Sequence, residues 1–273
     1  MLDDTVNLIM GCSGWSYKSW VGNFYPTKMR PDKFLSYYSK IFDAVEIDSS
    51  FYSLPDASRV RSWNLDTGQG FKFCPKVPGN ITHQNKIQDP DSIFPAFLQN
   101  IKILGNKLGP ILLQLPPHFT YSEGVKNFID FLELVPEKIN FAVEFRDNSW
   151  LNETVYRIMR DHNFITVWSE APFVKIVPPL TSNDIYLRLI GERDIPESQF
   201  GKIRRTMDEE LHKWAAEIKK VQDDVDRIFI FANNHFQGFA PGSVNEFRRV
   251  LGLHEIPFVP EKTSDYHRQG TLF

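Results

Sequence analysis

Acids and bases recur at matching places in short apolar runs. Glu46 and Asp48 lie in Val45-Glu-Ile-Asp48 and Lys76 closes Phe71-Lys-Phe-Cys-Pro-Lys76. Glu144 and Arg146 lie in Val143-Glu-Phe-Arg146, and Arg188 in Leu187-Arg-Leu189. Polar and apolar residues alternate in each run, the period of a strand, so the polar set shares one face. Two carboxylates such as Glu46 and Glu144 serve as acid and base when their surroundings push their pKa values apart. Lys76, Arg146 and Arg188 are the types that hold and neutralise an anion, a phosphate above all. Asp48, His83, Gln114, Asn233, Asn234 and His235 add groups that orient a bound molecule. Trp15, Tyr52 and Trp150 each follow a strand-like run and predict aromatic walls around it. The competing reading is an ion network that neutralises itself and plugs the space between the strands.

Those residues need elements to carry them. Eight β-prone runs cover 8–12, 44–48, 71–76, 111–115, 141–146, 164–168, 185–190 and 228–232. Helical patterns cover 92–107, 123–134, 153–161 and 207–222, and Ser243-Val-Asn-Glu246 reads as a capping box opening a last helix. The second and sixth units are the weakest, and the three prolines within 171–180 predict a loop there. Strands alternating with helices imply a parallel sheet with right-handed crossovers. Eight of them in 273 residues predict a single α/β domain, 1–273, folded as a TIM (β/α)8 barrel with its site at the C-terminal strand ends. The outward positions are then Val45, Ile47, Val143, Phe145, Leu187 and Leu189, and the last strand is ambiguous. Trp20 and Phe24 fit a core role as well as a place in the mouth.

Composition narrows the function. Thirty-one basic against thirty-four acidic residues give a net charge of −3, which disfavours a dedicated nucleic-acid binder. Two cysteines, Cys12 and Cys74, make neither a disulfide framework nor a zinc site and read as buried apolar residues. The acidic start Met-Leu-Asp-Asp-Thr and the lack of a spanning apolar run predict a cytoplasmic protein without a membrane partner. No flavin, nicotinamide or P-loop fingerprint is present, so no cofactor is expected. His83, His118 and His235 follow strands three, four and eight without ligand spacing, so no metal is assigned. Nothing here fixes an oligomeric state.

The same residues carry a resemblance along nearly the whole chain. Gly11-Cys-Ser-Gly-Trp-Ser-Tyr17, with Trp20 and Phe24-Tyr-Pro26, resembles the opening signature of the YecE-like family. Glu46-Ile-Asp-Ser-Ser-Phe-Tyr52, Lys76-Val-Pro78 with Ile81-Thr-His83, and Gln114-Leu-Pro-Pro117 resemble its later blocks. So do Val143-Glu-Phe-Arg146 with Ser149-Trp150, Leu187-Arg-Leu-Ile-Gly191 and Asn233-Asn-His235. Ile190 departs from the polar residue more usual in its block. The resemblance implies a TIM barrel with a site at the strand ends, and it implies no reaction.

Together these readings predict a hydrolase or lyase that takes a small anionic, phosphate-bearing substrate, with Glu46 and Glu144 as the acid/base pair. The alternative is a non-catalytic barrel that binds a ligand or nucleic acid. Further alternatives are a metal-dependent, nuclease-like phosphoesterase and a glycoside hydrolase, the latter from two carboxylates beside aromatic platforms.

Overall fold

A computed structural model describes residues 6–90, 93–172, 174 and 176–258. The expected helix start at 92, the acidic N-terminal pentapeptide and parts of the 171–180 loop lie outside the described residues. The strands are β1 (Asn7–Ser13), β2 (Ala44–Ile47), β3 (Lys72–Pro75), β4 (Ile111–Gln114), β5 (Phe141–Glu144), β6 (Ile165–Thr166), β7 (Trp168–Glu170), β8 (Asp184–Leu189) and β9 (Arg227–Ala232). The helices are α1 (Phe34–Tyr38), α2 (Ser49–Tyr52), α3 (Ala57–Leu65), α4 (Phe94–Ile101), α5 (Tyr121–Leu132), α6 (Glu153–Asp161), α7 (Asp208–Val221), α8 (Asn234–Gln237) and α9 (Ala240–Val250).

The fold is mixed α/β with parallel strand pairing. One sheet runs β3-β2-β1-β9-β8-β7 and the other β4-β5-β6. This corrects the expectation of one continuous eight-stranded sheet. The run expected as a single sixth strand is broken at Val167, because its two halves pair with different neighbours. β6 pairs with β5, and the Val167 amide still donates to Val143 O at 3.0 Å, whereas β7 pairs with β8. Between β3 and β4 the contacts are isolated: Gly109 N donates to Phe73 O at 2.8 Å and Val77 N to Leu112 O at 2.9 Å.

Burial separates the two faces of the strands as the alternation requires. Val45, Ile47, Leu187 and Leu189 join Val60 and Trp63 of α3, Leu211 and Trp214 of α7, and Phe247 of α9 in an outer core. Val143 and Phe145 join Phe128 and Phe131 of α5 and Met159 of α6 in another. A third apolar layer between the strands contains Ala44, Cys74, Leu112, Ala142, Tyr186, Phe229 and Phe231. The last strand thereby acquires its direction, with Phe229 and Phe231 inward and Ile228 and Ile230 outward. Both cysteines are free and buried, Cys12 in an outer core and Cys74 in the inner layer.

Two local details depart from simple sequence signals. α9 starts at Ala240, three residues before the expected capping box, and Ser243 is inside it with its hydroxyl donating to Phe239 O. The amide of Ala240 is capped by Asn234 Oδ1 at 3.0 Å, from outside the helix. Between β1 and β2 the Tyr38 hydroxyl accepts from Cys12 N at 2.7 Å and donates to Ala44 O at 3.0 Å. Gly11 allows this close approach, since a Cβ there would fall 1.8 Å from Ala44 O.

Candidate functional site

The polar layer follows from strand register. Ser13 stands opposite Glu46, Gln114 opposite Glu144, and Ser169 opposite Arg188. Each of these side chains points inward, directly beyond the apolar layer just described.

Arg188 ties the layer together. Its Nε and Nη2 reach Glu46 Oε2 and Oε1 at 2.8 and 2.6 Å, a two-pronged pairing, while Nη1 reaches Glu144 Oε2 at 2.7 Å. Glu46 also accepts from the Ser13 hydroxyl and the Tyr186 hydroxyl, each at 2.8 Å. Glu144 accepts from Gln114 Nε2, from Ser169 Oγ at 3.0 Å, and faces Arg146 Nε at 3.6 Å. Glu46 is 0% exposed, and Glu144 and Arg188 are each 2% exposed.

The same charge acts on both carboxylates. Burial alone would raise both pKa values, but the Arg188 charge outweighs it and holds Glu46 and Glu144 below the usual carboxylate range. Arg188 in turn is raised despite burial by Glu144 and Glu46. Both glutamates are thus sealed, hydrogen-bonded and shifted in the same downward direction, whereas the sequence reading expects their pKa values to be pushed apart.

Above this layer the partners thin out. Lys76 follows β3 and is 5% exposed; its Nζ lies 4.4 Å from the Phe51 ring centroid. Burial brings its amine down to about 8, against the upward pull of Asp48. Asp48 is half-buried, and burial followed by the Glu46 charge raises its carboxyl. His83 sits in a single π-helical turn, Asn80–Gln84, edge-on to Phe51 at 4.9 Å, with Nδ1 2.8 Å from Thr82 Oγ1. Burial, then the positive charges of Lys76 and Arg146, lower it to about 4, so the ring is neutral near pH 7. Beside it a cleft of about 440 Å³ opens between Phe51, Tyr52, Pro78, Gly79 and His83. Gly79 leaves room for the Phe51 ring, which a Cβ would meet at 2.7 Å.

The aromatic walls are corrected in part. Tyr52 is 77% exposed and borders the cleft. Trp150 is 0% exposed, stacked on Phe145 at 5.2 Å, and its Nε1 donates to Phe119 O, so it is core. Trp15 is half-buried and meets Trp63 of α3 edge-on at 5.6 Å, on the helix side. Trp20 and Phe24 are core too.

The residues after β9 also divide. Asn234 is buried and its Oδ1 accepts from Trp20 Nε1 at 3.0 Å, which makes it a packing and capping residue rather than one free to orient a substrate. Asn233 Oδ1 caps α8 through His235 N. The His235 ring packs edge-on to Phe200 at 5.0 Å, and burial lowers its pKa ahead of the Arg193 charge. The site thus brings together Glu46, Asp48, Lys76, His83, Gln114, Glu144, Arg146 and Arg188.

Ser13, Ser169, Tyr186 and Phe51 belong with them. Alternation placed Tyr186 inward beside Arg188, whereas the serine partners appear only once the strand register is known. Among the described residues no three His, Cys, Asp or Glu side chains converge as metal ligands, and no helix is long and apolar enough to cross a membrane.

Comparison with known proteins places the chain in a wider group. The family described as "Protein of unknown function DUF72" matches residues 9–265. The UPF0759 protein YunF of Bacillus subtilis is 23% identical over 93% of this chain and 98% of its own length. The UPF0759 protein YecE of Escherichia coli K12 is 30% identical over 51% of this chain and 48% of its own. The crystal structure of a DUF72 family protein (TM1631) from Thermotoga maritima superposes with TM-score 0.75 at 27% identity, covering 90% of this chain and 99% of that one. Another, EF0366 from Enterococcus faecalis, gives TM-score 0.73 at 20% identity, covering 91% of this chain and 98% of that one, and so bears on the fold alone.

Proposed function

The chain belongs to the DUF72 family of proteins of unknown function, and we propose that its strand-end mouth binds a small anionic, phosphate-bearing molecule and acts on it as a hydrolase or lyase. One observation carries this reading. Among the described residues Arg188 is the buried arginine of the polar layer and pairs with two glutamates, while the charges of Lys76, Arg146 and Arg193 act with Asp48 around the mouth. Burial and then the charges of Lys76 and Arg146 lower the pKa of His83, which supports a positive potential at that place. With Glu46 and Glu144 locked, proton transfer falls to Asp48, whose carboxyl is raised, and to neutral His83.

We read the two sheets as one closed eight-stranded barrel forming one domain, with β6 and β7 as a single interrupted stave. The isolated β3–β4 bridges and the Val167 bond to β5 support this closure.

The test is thermal unfolding with phosphate against chloride at equal ionic strength, alongside turnover of a panel of small phosphoesters. Stabilisation by phosphate that is lost in Arg146→Ala supports the anion site, and no stabilisation removes it. The saturation of both glutamates favours a second reading, a binding barrel without turnover. Ligand-dependent stabilisation with no product from any bound compound selects that reading.

A further inference from the structure

We propose that the Lys76 amine forms a covalent imine with an aldehyde or ketone group carried by the anion that this mouth binds. The proposal rests on the anion-binding reading for its substrate class, and on Lys76 itself for its chemistry.

The backbone of Lys76 is fixed on both sides. Its amide donates to Ser50 Oγ at 2.9 Å, holding it to the end of β2, and Val77 N bonds Leu112 O of β4 at 2.9 Å. Its side chain is buried, yet Nζ has no ion pair and no hydrogen bond among the described residues. The two nearby glutamates pair with Arg188, and the Phe51 ring lies 4.4 Å from the amine. Nor is Nζ among the sealed polar atoms that lack a partner, so it opens to the mouth. A desolvated lysine with no carboxylate in ion-pair contact keeps a larger share of uncharged amine at neutral pH, the form that attacks carbonyl carbon, here against the upward pull of Asp48. Its pKa of about 8 agrees with this placement.

The step balances with groups already present. The Nζ lone pair attacks the carbonyl carbon and a proton passes from nitrogen to the carbonyl oxygen, giving a carbinolamine. Asp48, whose carboxyl burial raises, passes a proton to the hydroxyl, which leaves as water as the C=N bond forms, and the N–H proton of the resulting iminium returns to the Asp48 carboxylate. Amine and carbonyl are consumed, and imine and one water are produced. Arg146, which faces Glu144 at 3.6 Å, adds positive charge beside the anionic end.

Reductive trapping tests this on the native chain. The protein is incubated with pyruvate or glyoxylate and sodium cyanoborohydride, and peptides are mapped by mass. The expected result is an adduct on Lys76 forming on the order of 10-fold or more faster than on exposed lysines at pH 7. Its rate should rise with a midpoint near pH 8, and inorganic phosphate should slow it. Lys76→Met should lose that adduct alone. Labelling at Lys76 no faster than at exposed lysines, or absent there, overturns the imine. Phosphate-dependent thermal stabilisation, measured in parallel, then shows whether the anion site survives. Rapid labelling at Lys76 without any phosphate effect keeps the imine and removes the anion reading.

Discussion

Arg188 and Lys76 occupy one mouth, face the same two glutamates and differ in almost everything that matters. Arg188 has three nitrogens on two carboxylates, each within 2.8 Å, and Glu46 accepts two further hydroxyls. Lys76 has an aromatic face and, among the described residues, no carboxylate in ion-pair contact. The planar fork of arginine can bridge two acids at once, while a lysine is a single point charge that loses its proton readily when buried. The lower layer therefore fixes geometry, and the rim above it keeps its chemistry available. Charged residues of similar type, at the ends of different strands, divide into a fixed part and a reactive part by how many partners each has.

The comparison breaks most directly at Arg188. Arg188→Met strands two buried negative charges and should cost about 3–5 kcal/mol of unfolding free energy. Denaturant titration measures it, and a loss below about 1 kcal/mol would mean that the layer is not the rigid part. The pH dependence has a defined sign. Glu46 and Glu144 titrate below the ordinary glutamate value in the folded chain, so their contribution is whole above about pH 4.3. It is lost as the pH falls through the lowered folded values.

Trp150→Ala should be comparably damaging, about 3–5 kcal/mol, because it opens a cavity in the core around Phe119, Phe128 and Phe145. In contrast to changes at the rim, binding of phosphate by the remaining folded protein should not alter. Weakened binding in isothermal titration would return Trp150 to the site.

Lys76→Met should move stability the other way, by about 1–2 kcal/mol at pH 7, since it removes a charge that burial disfavours. The sign follows from a folded pKa of about 8 below the usual lysine value near 10.4: the penalty is full below pH 8 and fades as the pH rises through that interval. Destabilisation of both Lys76→Met and Arg188→Met by similar amounts would erase the distinction between the two.

Smaller effects sharpen the outline of the rim. Arg146→Ala should weaken phosphate binding about tenfold, the equivalent of about 1.4 kcal/mol, read by titration calorimetry. Tyr52→Ala, at an exposed position, should change stability by less than about 0.5 kcal/mol. A larger loss there would show Tyr52 to be structural.

Strand periodicity by itself determined which residues face inward. Val45 and Ile47 had to meet helices, so Glu46 had to face the interior, and the same rule delivered Gln114, Glu144, Tyr186 and Arg188. The apolar face must be buried on each strand, and a period of two leaves no other arrangement. The family, too, was legible in the motif order. The chain could not show which carboxylate Arg188 would choose, because Glu46 and Glu144 lie 142 and 44 residues away from it and meet it only through register. Nor could it show that Trp150 turns into the helix layer while Tyr52 turns to solvent, since both simply follow strands and both are aromatic. The break at Val167, the cap that Asn234 lends to α9 and the solitary position of Lys76 are likewise products of tertiary packing. Local sequence sets the direction of each side chain, whereas the partners that decide its charge state come from distant strands.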